Sequence, residues 1–135
     1  MNRIVVAFDG SEHARRALEV AAELAREGTT IKVVSAIALP TTGTHGSAGA
    51  DPAETEERNR ELAEASQFFA ARGIDVETVE GYGDAADVII DEAQKDGANL
   101  IIVGTRGLNF AQQLILGSVS TKVAHHATCS VLLAR

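Results

Sequence analysis

The sequence predicts an α/β fold in three layers: an open five-stranded parallel sheet covered by helices on both faces, with strand order 3-2-1-4-5. Apolar runs such as "IVVAF" and "NLIIVG" are nearly continuous rather than alternating, as strands buried on both faces require. Between them lie amphipathic stretches long enough for crossover helices, in the order β-α-β-α-β-α-β-α-β. The strand order follows from right-handed crossovers, which leave strands one and four flanking a reversal.

Each element has its own local reason. Ile4–Phe8 is the first strand, closed by Asp9-Gly10-Ser11. Ala14, Ala17, Leu18, Ala21, Leu24 and Ala25 then recur at helical spacing, and Gly28 is expected as the C′ glycine of that helix. "TIKVVSAIAL" is a second strand through about Ile37. "PTTGTHGSAGA" has nothing to pack and reads as a flexible loop over 38–50, long for a compact domain. Asp51 is a good N-cap, Pro52 suits the first helical position, and Glu54 is placed to bond back to the cap. That helix is expected to run to about Arg72 on an inner stripe of Leu62, Ala65 and Phe69, with the acidic run Glu54–Glu64 as its solvated face. "GIDVETVE" is the third strand. Asp84 caps a helix carrying Ala86, Ile89, Ile90 and Ala93, and Gly97 ends it. "NLIIVG" is the fourth strand, Gly117-Ser118 opens a short helix through about Ala127, and "SVLLAR" is the last strand.

Composition narrows the functional classes. The 135 residues read as one domain, 1–135, without internal repeats or a linker. Apolar residues make up 45% and aromatics only 4%, so the core is built from Val, Ile, Leu and Ala. The net charge is −7, from 19 acidic against 12 basic residues, and no basic cluster is present to neutralise a nucleic-acid backbone. No apolar run approaches the ~18 residues of a membrane span. Cys129 is the single cysteine, which excludes a disulfide within the chain and suits a small core residue. A cytoplasmic protein is the expectation.

In an open parallel sheet, ligands bind beyond the carboxyl ends of the strands, at the reversal of strand order. Asp9-Gly10-Ser11, Ser35-Ala36-Ile37 and Gly104-Thr105-Arg106-Gly107 fall at such ends. Glycines there let the backbone approach a ligand without a Cβ in the way. Gly117-Ser118 begins a helix, where unpaired N–H groups and the helix dipole favour an anion, and the hydroxyls of Ser118 and Ser120 add donors. The set suits phosphates, although it is neither a Walker A loop nor the dinucleotide G-x-G-x-x-G. Purely structural readings stand beside this one: turn-forming for Asp9, Gly104 and Gly107, and capping for Ser118. His125 and His126 are adjacent and point about 100° apart on a helix, which does not suit a metal site. Asp9, Ser11 and His13 are too crowded for a catalytic triad.

Gly104, Gly107, Gly117 and Ser118 form the pattern G-x2-G-x9-G-S. This resembles the nucleotide-binding pattern of the ATP-binding branch of the universal stress protein family. "IVVAFDGSEHARRAL" is similar to that family's start, "GDAADVIIDEAQKDGANLIIVGTRG" to its centre and "GSVSTKVAHHATCSVLLAR" to its end. The resemblance covers nearly the whole chain apart from 41–50. It implies a Rossmann-like fold of the adenine nucleotide alpha hydrolase-like type and a stress-response module that binds ATP with Mg²⁺. It implies that Asp9 lies by the ribose and the phosphates or their metal, that Ala7 lines the site, and that backbone groups at Ala36 read the adenine edge. It further implies that Gly104, Thr105, Arg106 and Gly107 run beside ribose and phosphates, and that Gly117, Ser118, Val119 and Ser120 hold the triphosphate. The last strand, Val131–Ala134, is implied as the edge of a homodimer. The chain departs from the family at Ser130, where Pro is usual, and at Ser35, where His is common. Two alternatives stand beside an occupancy-signalling module: a slow ATPase or nucleotide-dependent enzyme of the same fold, and a dimeric stress module that binds no nucleotide. Catalysis is expected to be at most weak ATP hydrolysis, since no strong general base for water is evident.

Overall fold

A computed structural model describes residues 2–39, 51–105 and 117–135. Its element order is β1 (Arg3–Ala7), α1 (Glu12–Leu24), β2 (Thr30–Ile37), α2 (Pro52–Ala70), β3 (Val76–Tyr82), α3 (Ala85–Asp96), β4 (Leu100–Gly104), α4 (Ser118–His126) and β5 (Ser130–Ala134). The strands form one five-stranded sheet in the order β3-β2-β1-β4-β5, and every pairing is parallel. The three-layer fold read from the sequence is therefore the fold observed. The expected loop 38–50, apart from its first two residues, and the spacer before Gly117 lie outside the described residues.

The alternation of side chains along each strand divides the core in two. Ile4, Val6, Ile31, Val33, Leu100 and Ile102 face α1 and α2, packing on Ala17, Leu18, Ala21, Leu62, Ala65 and Phe69. Val5, Val34, Ile101 and Val103 face the other way, onto Ala86, Ile89 and Ala93 of α3 and Val123 of α4. β1 is central, and Ile4, Val5 and Val6 are fully buried. The α1 side chains toward the sheet are mostly alanines, which lets that helix lie close to it. Lys32 interrupts the apolar run of β2 on the α3 face. Its ammonium is held by Asp96 at 3.2 Å, Glu92 at 3.7 Å and Glu77 at 3.9 Å, so this nearly buried charge is paired.

Three local expectations change. α1 ends at Leu24, with Ala25 as an extended C-cap, and Leu24 is exposed rather than packed. Gly28 has φ 83° but lies in the turn beyond, so it shapes the route into β2 and does not cap the helix. Glu54 does not close a capping box. The Asp51 carboxylate accepts from the Ala53 N–H at 2.9 Å, while Glu54 Oε1 accepts from the Ala38 N–H at 3.3 Å, which draws the start of α2 over the end of β2.

Candidate functional site

β1 and β4 end close together because their registers align, Val6 standing opposite Ile102, while β2 runs on from Val34, opposite Ala7, to Ile37. Beyond those ends lies a cleft of ≈630 Å³. Its floor is Ala7 of β1 with Asp9 just past it, Ala36 of β2 with Ala38 just past it, and Val103 and Gly104 of β4 with Thr105 just past them. Its walls are the starts of four helices: Ser11 and His13 of α1, Glu54 and Arg58 of α2, Gly83, Asp84 and Ala85 of α3, and Gly117, Val119 and Ser120 of α4. Parallel connections bring helix N-termini to the carboxyl edge of the sheet, so their dipoles point positive ends into one space.

The helix starts are not equivalent. Ser11 Oγ accepts from the Ala14 N–H at 3.2 Å, and Asp84 Oδ2 accepts from the Asp87 N–H at 3.2 Å. With the Asp51 bond, these cap α1, α3 and α2. α4 has Gly117 as its N-cap, which has no side chain to offer, so among the described residues its first-turn amides carry no side-chain cap. The Ser120 hydroxyl donates to the Gly117 carbonyl at 3.1 Å, which tightens that turn.

Of the residues singled out in the sequence, Ala7, Asp9, Ala36, Gly104, Thr105, Gly117, Val119 and Ser120 come together around the cleft. Ser118 is exposed and does not line it, and Arg106 and Gly107 lie outside the described residues. Several of these residues also have local work. Asp9 Oδ1 accepts from the Ser11 N–H at 2.9 Å, an Asx turn that directs the chain into α1. Thr105 donates from both N–H and Oγ1 to the Ala134 carbonyl, at 3.0 and 3.3 Å, tying the end of β4 to β5. A Cβ on Gly104 would overlap the His13 carbonyl and lie 2.9 Å from the Ala14 nitrogen, so this glycine admits α1 against β4.

The acidic run of α2 is not wholly solvated. Arg58 and Glu61 have side chains only 18% and 12% exposed and form a two-point pair, Nε–Oε2 at 2.8 Å and Nη2–Oε1 at 3.0 Å. Burial pushes the Glu61 carboxyl up despite Arg58, with Glu57 and Asp9 adding to the rise. The signal for this face was the apolar stripe itself. Stepping back from Leu62 and Ala65 by helical spacing reaches Glu61, Arg58 and Glu54. The start of α3 is a second wall that the sequence reading missed. There the hydrogen bond from Lys122, followed by that from the Asp87 N–H, holds the Asp84 carboxyl below its usual range. Lys122 of α4 bridges Asp84 and Asp87 at 3.1 and 3.0 Å and so tethers the two helix starts.

Among the described residues no group of three or more His, Cys, Asp or Glu is arranged to hold a metal. His125 and His126 are exposed on the last turn of α4, with ring centroids 6.4 Å apart. Cys129 is half-buried against the second core, and burial raises its thiol pKa. Among the described residues, no helix is long and apolar enough to cross a membrane.

The family model described as the universal stress protein family matches residues 1–135. The chain belongs to that family. A universal stress protein found in the QAH/OAS sulfhydrylase 3′ region of Thermus aquaticus is 38% identical over 138 residues, 98% of this chain and 97% of the relative. Universal stress protein YxiE of Bacillus subtilis is 34% identical over 146 residues, covering 99% of each. Among solved structures, the universal stress protein from Archaeoglobus fulgidus in complex with dAMP is 28% identical. It superposes with a TM-score of 0.78 over 100% of this chain and 98% of its own. This universal stress protein thus shares both sequence and fold with relatives along its whole described length.

Proposed function

We propose that this cleft holds an adenine nucleotide, ATP with Mg²⁺, and that the chain works as a single-domain regulatory module of the ATP-binding branch, read through occupancy and through a homodimer. The observation that carries the proposal is the uncapped start of α4 opening onto a cleft at the reversal of strand order. First-turn N–H groups with no side-chain cap among the described residues and a positive dipole end suit a polyphosphate, and they do so without a basic side-chain cluster in an acidic chain. The dAMP held by the Archaeoglobus fulgidus relative supports the choice of adenine.

In this reading the backbone at Ala36 meets the adenine edge and Ala7 lines the floor. Asp9 stands by the ribose, and Gly104, Thr105, Arg106 and Gly107 pass beside ribose and phosphates. Gly117, Val119 and Ser120 take the triphosphate, and Ser118, read with them in the sequence, stands outside the cleft. Magnesium is usually held by one or two carboxylates together with substrate phosphates, so Asp9 in the floor of the cleft fits it and a dedicated metal cluster is not needed. Bound there, the ion would neutralise phosphate charge beside the cleft carboxylates.

Purified protein is expected to release adenine nucleotide on heating, identifiable by chromatography. Titration with Mg-ATP should give heat, and at a hundredfold excess over Kd the added stability is about 2.7 kcal/mol, a melting shift on the order of 10 °C. No bound nucleotide, no heat and no melting shift at millimolar ATP would leave the glycines as structural features only.

A further inference from the structure

The strand order gives a bound nucleotide a direction. α4 starts beside β4, β1 lies in the middle, and β2 lies on the far side of β1. This inference rests on the nucleotide reading above: with phosphates at α4, a ligand laid across the strand ends carries its base to Ala36 and Ala38. That end is floored by small aliphatic side chains and roofed by α2, which is drawn there by the Glu54 bond to the Ala38 N–H.

A purine stacks favourably on a flat partner, and among the described residues this end has no aromatic one. Among the described residues lining the cleft, the ring systems are Phe8 and His13. Phe8 is buried in the α1–α2 core at 2% exposure. His13 sits on α1 over Gly104, at the β4 side. Arg58, one turn along α2 from Glu54, is the planar group that this helix presents to the cleft, and among the described lining residues it is the one Arg or Lys beside the carboxylates of Asp9, Glu54 and Asp84. A guanidinium stacks on aromatic faces as an ammonium cannot.

We infer that Arg58 is a base-recognition residue, whose guanidinium exchanges its pairing with Glu61 for stacking on the purine of the bound nucleotide. The exchange needs little movement, because Arg58 already lines the cleft. Glu61 is a replaceable partner: it is packed against Gly10, where a Cβ would lie 2.8 Å from its Oε1, and it is crowded by Glu57 and Asp9. Its carboxyl accepts the loss of Arg58 by taking up a proton more readily.

The test measures Mg-ATP affinity by calorimetry, and inorganic triphosphate affinity by competition with ATP, in the wild type, Arg58→Lys and the neutral pair Arg58→Gln/Glu61→Gln. The double change removes both charges of the Arg58–Glu61 pair, the exposed Glu57 loses its 3.5 Å contact with Arg58, and melting curves verify the folding. Both variants are expected to bind ATP about tenfold more weakly, while triphosphate affinity stays within about a factor of two. ATP affinity unchanged in both variants overturns the inference. So does an equal loss for ATP and triphosphate, which would make Arg58 a counter-ion for phosphate. Triphosphate that fails to compete in the wild type overturns the ligand orientation. Wild-type protein that takes up no ATP removes the nucleotide reading and this inference with it.

Discussion

Gly104 sits where β4 leaves the sheet and α1 crosses it, and its missing side chain serves packing as much as any ligand. A Cβ there would overlap the His13 carbonyl of a well-anchored helix. Backbone does not swing aside like a side-chain tip, so Gly104→Ala is expected to cost about 2 kcal/mol, read as a lower midpoint in urea unfolding. Stability within error of the wild type would mean that α1 moves freely. Glu61 yields a prediction of opposite origin. Its folded-state pKa is raised, chiefly by burial, so it favours the folded state fully below its ordinary 4.5, and that contribution is lost as pH rises through the raised value. Gln mimics the protonated form at every pH. The wild type should therefore gain stability relative to Glu61→Gln on going from about pH 7 to about pH 4, measured by urea unfolding at both. A pH-independent difference would contradict the burial. At this scale the sequence revealed the floor of the cleft, because residues such as Asp9 and Ala36 follow directly from where apolar runs stop. It concealed Arg58 and Glu61, because charged residues on a helix look alike whether they face water or overhang the end of a sheet.

Helix starts were the most legible features at the element scale. Asp51 and Asp84 cap as their residue types predict, and Gly97 ends α3 at φ 63°. These are local bonds, decided within a few residues. Gly28 was less legible because a glycine after a helix can serve either its cap or the next turn, and only the path into β2 decides which. Glu54 left its capping box for the same kind of reason: a tertiary N–H, that of Ala38, lay within reach. The uncapped α4 stands out against its capped neighbours. Gly117 has φ −64° and ψ 162°, which any residue adopts, so the choice of glycine there is not forced by backbone conformation. Gly117→Asp would supply the missing cap and place a carboxylate where the phosphates are proposed to sit. Such a cap is worth about 1 kcal/mol to a helix. The variant should match or exceed the ligand-free melting temperature of the wild type while losing at least about tenfold in ATP affinity. Retained ATP affinity would move the phosphates away from α4.

The whole molecule exposes two sheet edges with opposite chemistry. β3 carries Glu77 and Glu80 along its edge, a charged guard against pairing with another strand. β5, Ser130–Ala134, carries neither charge nor proline, and Val131, Leu132 and Leu133 are only half-buried in the single chain. An unguarded apolar edge is the natural place for a two-fold mate, since antiparallel pairing of β5 with its own copy satisfies the edge amides and extends both cores at once. The cleft touches this edge directly: Thr105 donates twice to the Ala134 carbonyl, so a ligand that repositions the end of β4 also repositions the end of β5. Any such coupling is reciprocal: if nucleotide shifts the dimer equilibrium, dimer formation shifts nucleotide affinity by the same factor. Sedimentation equilibrium is expected to give twice the chain mass of 14.1 kDa. Leu132→Lys sets like charges close to the two-fold axis and should give the monomer, with the far-ultraviolet circular dichroism of the wild type retained because β5 still pairs with β4. A wild type that stays monomeric at tens of micromolar, or a Leu132→Lys variant that still dimerises, would move the interface away from β5 and leave that edge without an explanation for its missing charges.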